Sequence, residues 1–280
     1  MINRLKAVAV RNLEKMSFTQ ELIQRYKHYR VDCYVVSYPK SGRTWLRVML
    51  AKALAVHFNI SYELVSDPIA TVHAAGKRHP WIRFTHLNVS ISKEHIDFQK
   101  WYATKFRNKK VIFLVRDPRD VLVSYFFHRT RRNNEEHSLE NFIKHPAWGI
   151  DRLISFMNDG YTYRHLPKDF LLIQYEDLHH DGKTELKHIL EFVGIENILD
   201  NTVEQALEYA QFDNMRKMSM STLSDNKRLK PITSDDPESF KVRKGKIGGF
   251  TEYLSSSDIA YLNDKIRHDL LPVFGYKNLI

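Results

Sequence analysis

The sequence has little cysteine and no long hydrophobic run. Its 280 residues include one cysteine, Cys33, which excludes an internal disulfide and a cysteine-rich metal site. No run approaches the ~20 consecutive apolar residues of a membrane-spanning helix, and no signal peptide precedes the first apolar run. We therefore expect a soluble protein of the reducing cytoplasm, in which Cys33 is a buried, unreactive thiol.

The sequence also has no low-complexity tract, internal repeat or linker rich in proline, glycine and serine. Because 280 residues suffice to bury a sizeable core, we expect one domain over residues 31–280. Residues 1–30 are basic, with apolar residues near helical spacing, and are predicted to form a helical segment packed on that domain. Peripheral contact with an anionic membrane is the alternative for this segment.

Positive charge is in excess, with a formal net charge of +10. Such an excess favours anionic partners, which include nucleic acid, a membrane surface and anionic small molecules. A basic nucleic-acid-binding protein is the less favoured alternative, because neither a known binding module nor basic residues interleaved with exposed aromatics are recognisable.

Apolar runs that suit strands alternate with helical patterns along the chain. Strands are predicted at 31–37, 81–86, 111–115 and 170–174, helices at 44–58, 120–130, 140–156 (interrupted near Pro146 and Gly149), 184–193, 203–209 and 258–271, and a basic loop at 219–249. This alternation predicts an α/β fold, a single domain with a central parallel sheet flanked by helices. Ligands of such sheets bind beyond the carboxyl ends of the strands.

The segment Y-P-K-S-G-R-T-W, residues 38–45, joins the first predicted strand to the first predicted helix. A helix N-terminus suits phosphate because it offers unpaired N–H groups and the positive end of the helix dipole. The segment adds charge, hydroxyl groups, a glycine that permits close approach and a flat ring for a base. It is therefore predicted to bind a phosphorylated nucleotide in a P-loop-like core, through Lys40, Ser41, Gly42, Arg43, Thr44 and Trp45.

The order of residues separates this loop from a Walker A motif. In a Walker A motif a lysine directly follows the second glycine, whereas here Arg43 follows Gly42 and Lys40 precedes it. A P-loop small-molecule kinase is therefore the less favoured of the enzyme alternatives.

A second strand-to-helix segment, R-D-P-R-D-V-L-V-S-Y at residues 116–125, has similar chemistry. Asp117 suits the N-cap and Pro118 the first position of a helix. The guanidinium of Arg116 and the hydroxyl of Ser124 suit one phosphate group. Two such sites in one sheet imply a ligand with phosphates at both ends.

Together, residues 38–45 and 116–125 resemble the two nucleotide-binding motifs of the soluble sulfotransferases. Those enzymes use 3′-phosphoadenosine 5′-phosphosulfate (PAPS) and release the product PAP. The resemblance continues through Y-E-D-L at 175–178, I-L-E-F-V-G at 189–194 and R-K-G at 243–245, in the order of the family. It implies in-line transfer of a sulfuryl group from PAPS, without a metal, to a hydroxyl or amine of a small-molecule, lipid or glycan acceptor.

The resemblance also implies a role for each matching residue. Residues 40–44 hold the 5′-phosphosulfate, and Lys40 also acts in catalysis. The 3′-phosphate is bound by Arg116, Ser124, Arg243, Lys244 and Gly245, and the adenine by Trp45, Tyr175 and Phe212. His86, in T-H-L at the end of the second predicted strand, is the base that takes the acceptor proton. Ser124 is expected to hold Lys40 back until the acceptor is bound.

Three departures from the family pattern are visible. Arg43 replaces a small hydroxyl residue, and K-I-G-G-F at residues 246–250 stands where many members have Gly-Asp-Trp. The dimerisation segment of animal members is not recognisable, so a dimer of that type is not expected. On this pattern the chain is expected to stand closer to bacterial than to animal members.

Overall fold

A parallel sheet of four strands lies at the centre of the fold, in the order β2-β1-β3-β4. The strands are β1 (Cys33–Ser37), β2 (Ile82–Thr85), β3 (Lys110–Val115) and β4 (Asp169–Gln174). They belong to a computed structural model that describes residues 28–60, 79–87, 89, 95–132, 136–220 and 245–279. All neighbouring strands pair in parallel, which confirms the predicted α/β class and its central sheet.

Helices connect the strands and flank the sheet. In chain order they are α1 (Arg43–His57), α2 (Phe98–Thr104), α3 (Pro118–Arg132), α4 (Leu139–Ile143), α5 (Ile150–Thr162), α6 (Tyr175–His180), α7 (Gly182–Val193), α8 (Asp200–Tyr209), α9 (Phe212–Met220) and α10 (Ser256–Asp269). A short 3₁₀ helix precedes α10 at Gly249–Glu252, and two more follow it at Pro272–Phe274 and Tyr276–Leu279. Each strand-to-strand connection contains at least one helix, as crossovers between parallel strands usually do.

The sheet buries both of its faces, which explains why its central strands are almost continuously apolar. Val36 and Phe113 belong to a core that also includes residues of α3, α5 and α10. Val35 and Ile112, their chain neighbours, belong to a second core with residues of α1, α7 and α8. Because successive side chains of a strand point to opposite faces, β1 and β3 separate the two cores.

Capping residues set several helix ends. Asp181 accepts a hydrogen bond from Thr184 N (3.1 Å) at the start of α7, and Gly194 ends that helix at φ 96°. The helix predicted over residues 184–193 therefore ends at the predicted residue. The Asp117 carboxylate accepts a hydrogen bond from Arg119 N (2.9 Å) where α3 begins, as predicted for an N-cap.

The structure differs from the predicted elements in two respects. Helix α5 continues past the predicted end at residue 156 to Thr162. The predicted interruption near Pro146 and Gly149 is present between α4 and α5, because the chain turns tightly at Gly149. A Cβ there would lie 2.5 Å from the Ile143 carbonyl oxygen. The short helices α2, α6 and α9 were also not predicted, since one or two helical turns show too little periodicity to be recognised.

Two predicted segments lie mostly outside the described residues. Of residues 1–30 only 28–30 are described, and the predicted loop at 219–249 is described only at its two ends. The packing of the N-terminal segment on the domain therefore stays a prediction. Within the described part of the chain, no helix has both the length and the apolar character needed to cross a membrane.

Candidate active site

The turn between β1 and α1 contains two residues in the left-handed conformation. Lys40 has φ 74° and Gly42 has φ 93°. This conformation costs a non-glycine residue about 1–2 kcal/mol, so the surrounding structure holds Lys40 in place. At Gly42 the available space also requires glycine, because a Cβ would lie 2.4 Å from the ring of Tyr175. The turn therefore fixes the start of α1 against Tyr175.

The first turn of α1 has the features of an anion-binding site. It contains no acidic residue, and Gly42 at its N-cap supplies no side-chain acceptor. The first N–H groups of a helix have no acceptor within the helix, and the positive end of the dipole lies there. Ser41 is buried, whereas Arg43 and Thr44 are half-buried. A phosphate or sulfate group at this position would accept hydrogen bonds from the backbone N–H groups.

His86 lies at the end of β2, beside the end of β1. The pairing of Val36 with Thr85 brings the imidazole to Ser37, the last residue of β1. The Nδ1 atom of His86 is 2.7 Å from the Ser37 carbonyl oxygen and 3.4 Å from its hydroxyl oxygen. Because a carbonyl oxygen only accepts, Nδ1 carries the proton, and in the neutral form of the ring the lone pair lies at Nε2. This tautomer suits a general base acting through Nε2.

Arg116 follows β3, and one nitrogen of its guanidinium, Nη2, makes two hydrogen bonds. Its Nη2 donates to the Asp120 carboxylate (3.3 Å) and to the Lys246 carbonyl oxygen (2.8 Å). The guanidinium carbon lies 4.3 Å from the centre of the Tyr175 ring. The Nε atom is buried and has no hydrogen-bond partner among the described residues. A buried donor of this kind is costly unless an acceptor binds it, which makes Arg116 a candidate anion ligand.

Tyr175, the first residue after β4, connects the two predicted phosphate sites. Its ring centre lies 5.4 Å from that of Trp45, and the Trp45 indole N–H donates to the Ala210 carbonyl oxygen (2.9 Å). The ring of His179 lies 4.4 Å from that of Trp45, tilted by 31°. Burial raises the pKa of Tyr175, and burial, followed by the charge of Arg116, lowers the pKa of His179. Both rings are therefore neutral near pH 7.

Phe212 and Gly245 lie against each other although they are distant in the chain. Gly245 has φ 62°, and a Cβ there would lie 3.0 Å from Cδ2 of Phe212. The hydrogen bond from Trp45 to Ala210 brings the indole to the segment that precedes Phe212. The structure thus brings three predicted nucleotide-binding residues into one region. Arg243 and Lys244 lie outside the described residues, and their roles stay predictions.

The order of the sheet explains why distant motifs meet. β1 and β3 are neighbours and β4 adjoins β3, so the Lys40 turn, Arg116 and Tyr175 lie at the same edge of the sheet. Ser124, the predicted partner of Arg116, is buried on α3. Among the described residues, no group of three or more His, Cys, Asp or Glu side chains is arranged to hold a metal ion.

Three residues near the site had no predicted role. Asp120 contacts Arg116, His179 lies on Trp45, and Glu176 accepts hydrogen bonds from Asp117 N (3.0 Å) and the Tyr276 hydroxyl (2.8 Å). Burial raises the pKa of Asp120 and of Glu176. For Asp120 a signal was present in the sequence, since it is an acidic residue inside the segment at 116–125 that is predicted to bind a phosphate.

A sequence profile of the sulfotransferase domain matches residues 30–271, which is most of the chain. The chain belongs to the sulfotransferase family. This finding favours the predicted function over the kinase and nucleic-acid alternatives. The R-K-G segment at 243–245 and all described site residues fall within the match.

Individual relatives of this sulfotransferase agree with the profile. Sulfotransferase 2A6 of Mus musculus is 29% identical over 208 residues, covering 69% of each chain. Cytosolic sulfotransferase 12 of Arabidopsis thaliana is 27% identical and covers 84% of this chain and 76% of its own. The expectation that the chain stands closer to bacterial members is not supported by these animal and plant relatives.

A solved structure shows the same fold. The crystal structure of mouse sulfotransferase SULT7A1 complexed with PAP superimposes with a TM-score of 0.54 at 20% identity. It covers 86% of this chain and 84% of its own. The predicted single α/β domain with a P-loop-like core is therefore confirmed as a fold.

Proposed function

We propose that this sulfotransferase transfers a sulfuryl group from PAPS to a hydroxyl or amine of a small-molecule, lipid or glycan acceptor. The observation that carries the proposal is the position of His86 beside the phosphate-binding turn. Its Nδ1 is held by the Ser37 carbonyl oxygen (2.7 Å), and Ser37 is followed within three residues by Lys40. A base and a cation at adjoining strand ends suit an attack by a hydroxyl on a group attached to a phosphate.

The two ends of the nucleotide are assigned to the two anion sites. The first turn of α1, residues 40–44, is the proposed site of the 5′-phosphosulfate. Arg116 and Ser124, with Arg243, Lys244 and Gly245, are the proposed ligands of the 3′-phosphate. The buried Nε of Arg116, which has no hydrogen-bond partner in the described part of the chain, fits a phosphate oxygen. The mouse neighbour was solved with PAP, a nucleotide with phosphates at both ends.

The adenine is assigned to the aromatic residues between these sites. Trp45 and Phe212 are the proposed rings on either side of the base, with Tyr175 at its edge. Both residues lie beside the end of α8, since the Trp45 indole N–H donates to the Ala210 carbonyl oxygen (2.9 Å) and Phe212 follows Ala210 by two residues. An aromatic ring offers a flat apolar face on which a base can stack.

The proposed chemistry assigns one task to each of three side chains. PAPS, when bound, supplies the sulfuryl group. His86 takes the acceptor proton at Nε2, the nitrogen that carries the lone pair when Nδ1 donates to Ser37. Lys40 neutralises the negative charge that develops on the leaving phosphate, which is a strong effect in a site where the cation is already positioned. Ser124 holds the Lys40 ammonium away from the sulfuryl group until an acceptor is present.

Sulfuryl transfer by wild type and by His86→Ala tests the proposal. Labelled PAPS is offered with a panel of phenols, alcohols, amines, glycans and lipid extracts. We expect wild type to label at least one acceptor class and His86→Ala to lose about 10²–10⁴-fold in turnover while PAP binding is retained. His95→Ala, which removes an exposed imidazole bonded to Ser155 (2.7 Å), is the matched control and should leave turnover unchanged.

Three results would contradict the proposal. The first is stabilisation of the protein by ATP with magnesium but not by PAP, which would favour a kinase. The second is loss of PAP binding in His86→Ala, which would make His86 a structural residue. The third is wild-type turnover in that variant.

A further inference from the structure

Asp120 is a buried carboxylate inside a site that is expected to bind a phosphate. It is 4% exposed and lies in the first turn of α3. A negative charge beside a phosphate weakens its binding unless the charge is neutralised, so the presence of Asp120 here requires an explanation. Burial raises its pKa, whereas the charge of Arg116 and the hydrogen bonds from Gly248 and Phe250 lower it.

Three donors from two distant parts of the chain converge on this carboxylate. Oδ2 accepts hydrogen bonds from Gly248 N (2.9 Å) and Arg116 Nη2 (3.3 Å), and Oδ1 accepts one from Phe250 N (3.0 Å). Both oxygens are thereby satisfied within the protein, and the charge is neutralised by Arg116. The carboxylate therefore acts through its neighbours and not on a ligand.

A fourth hydrogen bond completes the connection. Arg116 Nη2 also donates to the Lys246 carbonyl oxygen (2.8 Å), so Arg116 contacts the late segment both directly and through Asp120. The segment from Gly245 to Phe250 continues directly from the R-K-G motif at 243–245. These hydrogen bonds hold Arg116 and Asp120 against the segment from Gly245 to Phe250, although about 130 residues separate the two regions in sequence.

We infer that Asp120 is the positioning residue for recognition of the 3′-phosphate. It holds the Arg116 guanidinium through Nη2, and it anchors the segment from Gly245 to Phe250, in which Gly245 is a proposed ligand of the 3′-phosphate. Both halves of the 3′-phosphate site then form together, and the preference for a nucleotide with a 3′-phosphate depends on Asp120. This inference rests on the proposed function, because it takes the assignment of the 3′-phosphate to Arg116 as given.

A merely structural role predicts a different result. A buried carboxylate that only stabilises the fold would, when replaced, reduce stability and weaken the binding of all nucleotides alike. Glu176 supplies the matched control, because its carboxylate is half-buried, accepts two hydrogen bonds and has a pKa raised by burial. Its donors are Asp117 N and the Tyr276 hydroxyl, and none of its hydrogen bonds involves Arg116.

The experiment compares PAP with adenosine 5′-monophosphate, which lacks the 3′-phosphate. Calorimetry gives the Kd of both nucleotides for wild type, Asp120→Asn, Asp120→Glu and Glu176→Gln. The asparagine amide presents N–H where a carboxylate oxygen accepted, so it cannot hold all three donors. We expect Asp120→Asn to weaken PAP about tenfold or more and the monophosphate less than about twofold. Asp120→Glu should recover part of the loss, and Glu176→Gln should leave the ratio of the two Kd values unchanged.

The outcomes separate failure of the inference from failure of the proposed function. If wild type binds PAP no more tightly than the monophosphate, the assignment of the 3′-phosphate to Arg116 is wrong. If wild type prefers PAP and Asp120→Asn keeps the full preference, Asp120 is not a positioning residue and the inference is overturned.

A measurement on wild type alone covers the case in which Asp120→Asn does not fold. Hydrogen exchange of the full chain is followed at the amides of Gly248 and Phe250, which donate to Asp120. We expect PAP to slow their exchange at least about tenfold more than the monophosphate at equal saturation. Equal protection by the two nucleotides overturns the inference.

Discussion

At the scale of single residues, the charge and the backbone of Lys40 both point to catalysis. Its left-handed conformation (φ 74°) is unusual for a lysine, and such positions concentrate at functional sites. We expect Lys40→Met, which keeps the length of the side chain and removes its charge, to reduce kcat at saturating PAPS by on the order of 10²-fold or more. Assays of sulfuryl transfer from labelled PAPS measure this change in kcat directly.

Lys52 serves as the control for Lys40. It lies on α1, with its ammonium 5.3 Å from the centre of the Tyr209 ring. Lys52→Met removes the same charge from a position well along the helix, so turnover should stay within about twofold of wild type. Near wild-type turnover in Lys40→Met would show that the charge at position 40 takes no part in the chemistry.

At the scale of elements, Gly42 decides how the first helix begins. Gly42→Ala should destabilise the fold in two ways, through the left-handed backbone (φ 93°) and through the clash with the Tyr175 ring at 2.4 Å. The two effects together are expected to cost about 2–4 kcal/mol of the free energy of unfolding. Urea denaturation measures the change, and PAP binding should weaken as the start of α1 shifts.

Gly194 separates the two effects at Gly42. Its φ is 96°, but a Cβ there would meet nothing within 4 Å. Gly194→Ala therefore carries only the backbone cost, about 1–2 kcal/mol. A loss in Gly42→Ala no greater than that in Gly194→Ala would mean that the ring of Tyr175 moves aside readily.

The contact between α7 and α8 predicts a pH dependence of stability. Hydrogen bonds from Lys187 and Lys183 lower the pKa of Asp200, at the start of α8, from 3.8 to about 2. Because the folded pKa lies below the unfolded value, the ion pairs stabilise the fold above pH 3.8 and lose this effect as the pH falls towards 2.

Asp200→Asn should therefore lower the Tm slightly at neutral pH and match wild type at about pH 2. Thermal unfolding followed by circular dichroism between these values measures the difference. Glu196→Gln, which replaces an exposed glutamate outside this cluster, controls for the general effect of lost negative charge. A Tm difference for Asp200→Asn that is constant over the whole range would contradict the sign derived from the pKa.

At the scale of the whole molecule, sequence reasoning recovered what depends on local pattern. The strands around Val35 and Ile112 were predictable because burial on both faces of a sheet selects apolar residues. The end of α7 at Gly194 was predictable because a left-handed position after a helix selects glycine. The contacts of Asp120 were not, because they join α3 to a segment about 130 residues later. The contact of His179 with Trp45 depends in the same way on how β1 and β4 are arranged in the sheet.

The net charge of +10 should be visible in the salt dependence of nucleotide binding. PAP carries about four negative charges near neutral pH, and its proposed site includes Lys40, Arg43 and Arg116. We expect its Kd to rise several-fold between about 50 mM and about 500 mM NaCl, because the Debye length falls from about 14 Å to about 4 Å. Adenosine, which is uncharged, should show little change. Random duplex DNA should not displace PAP at any salt concentration, and displacement at low salt would mean that the same basic surface binds nucleic acid.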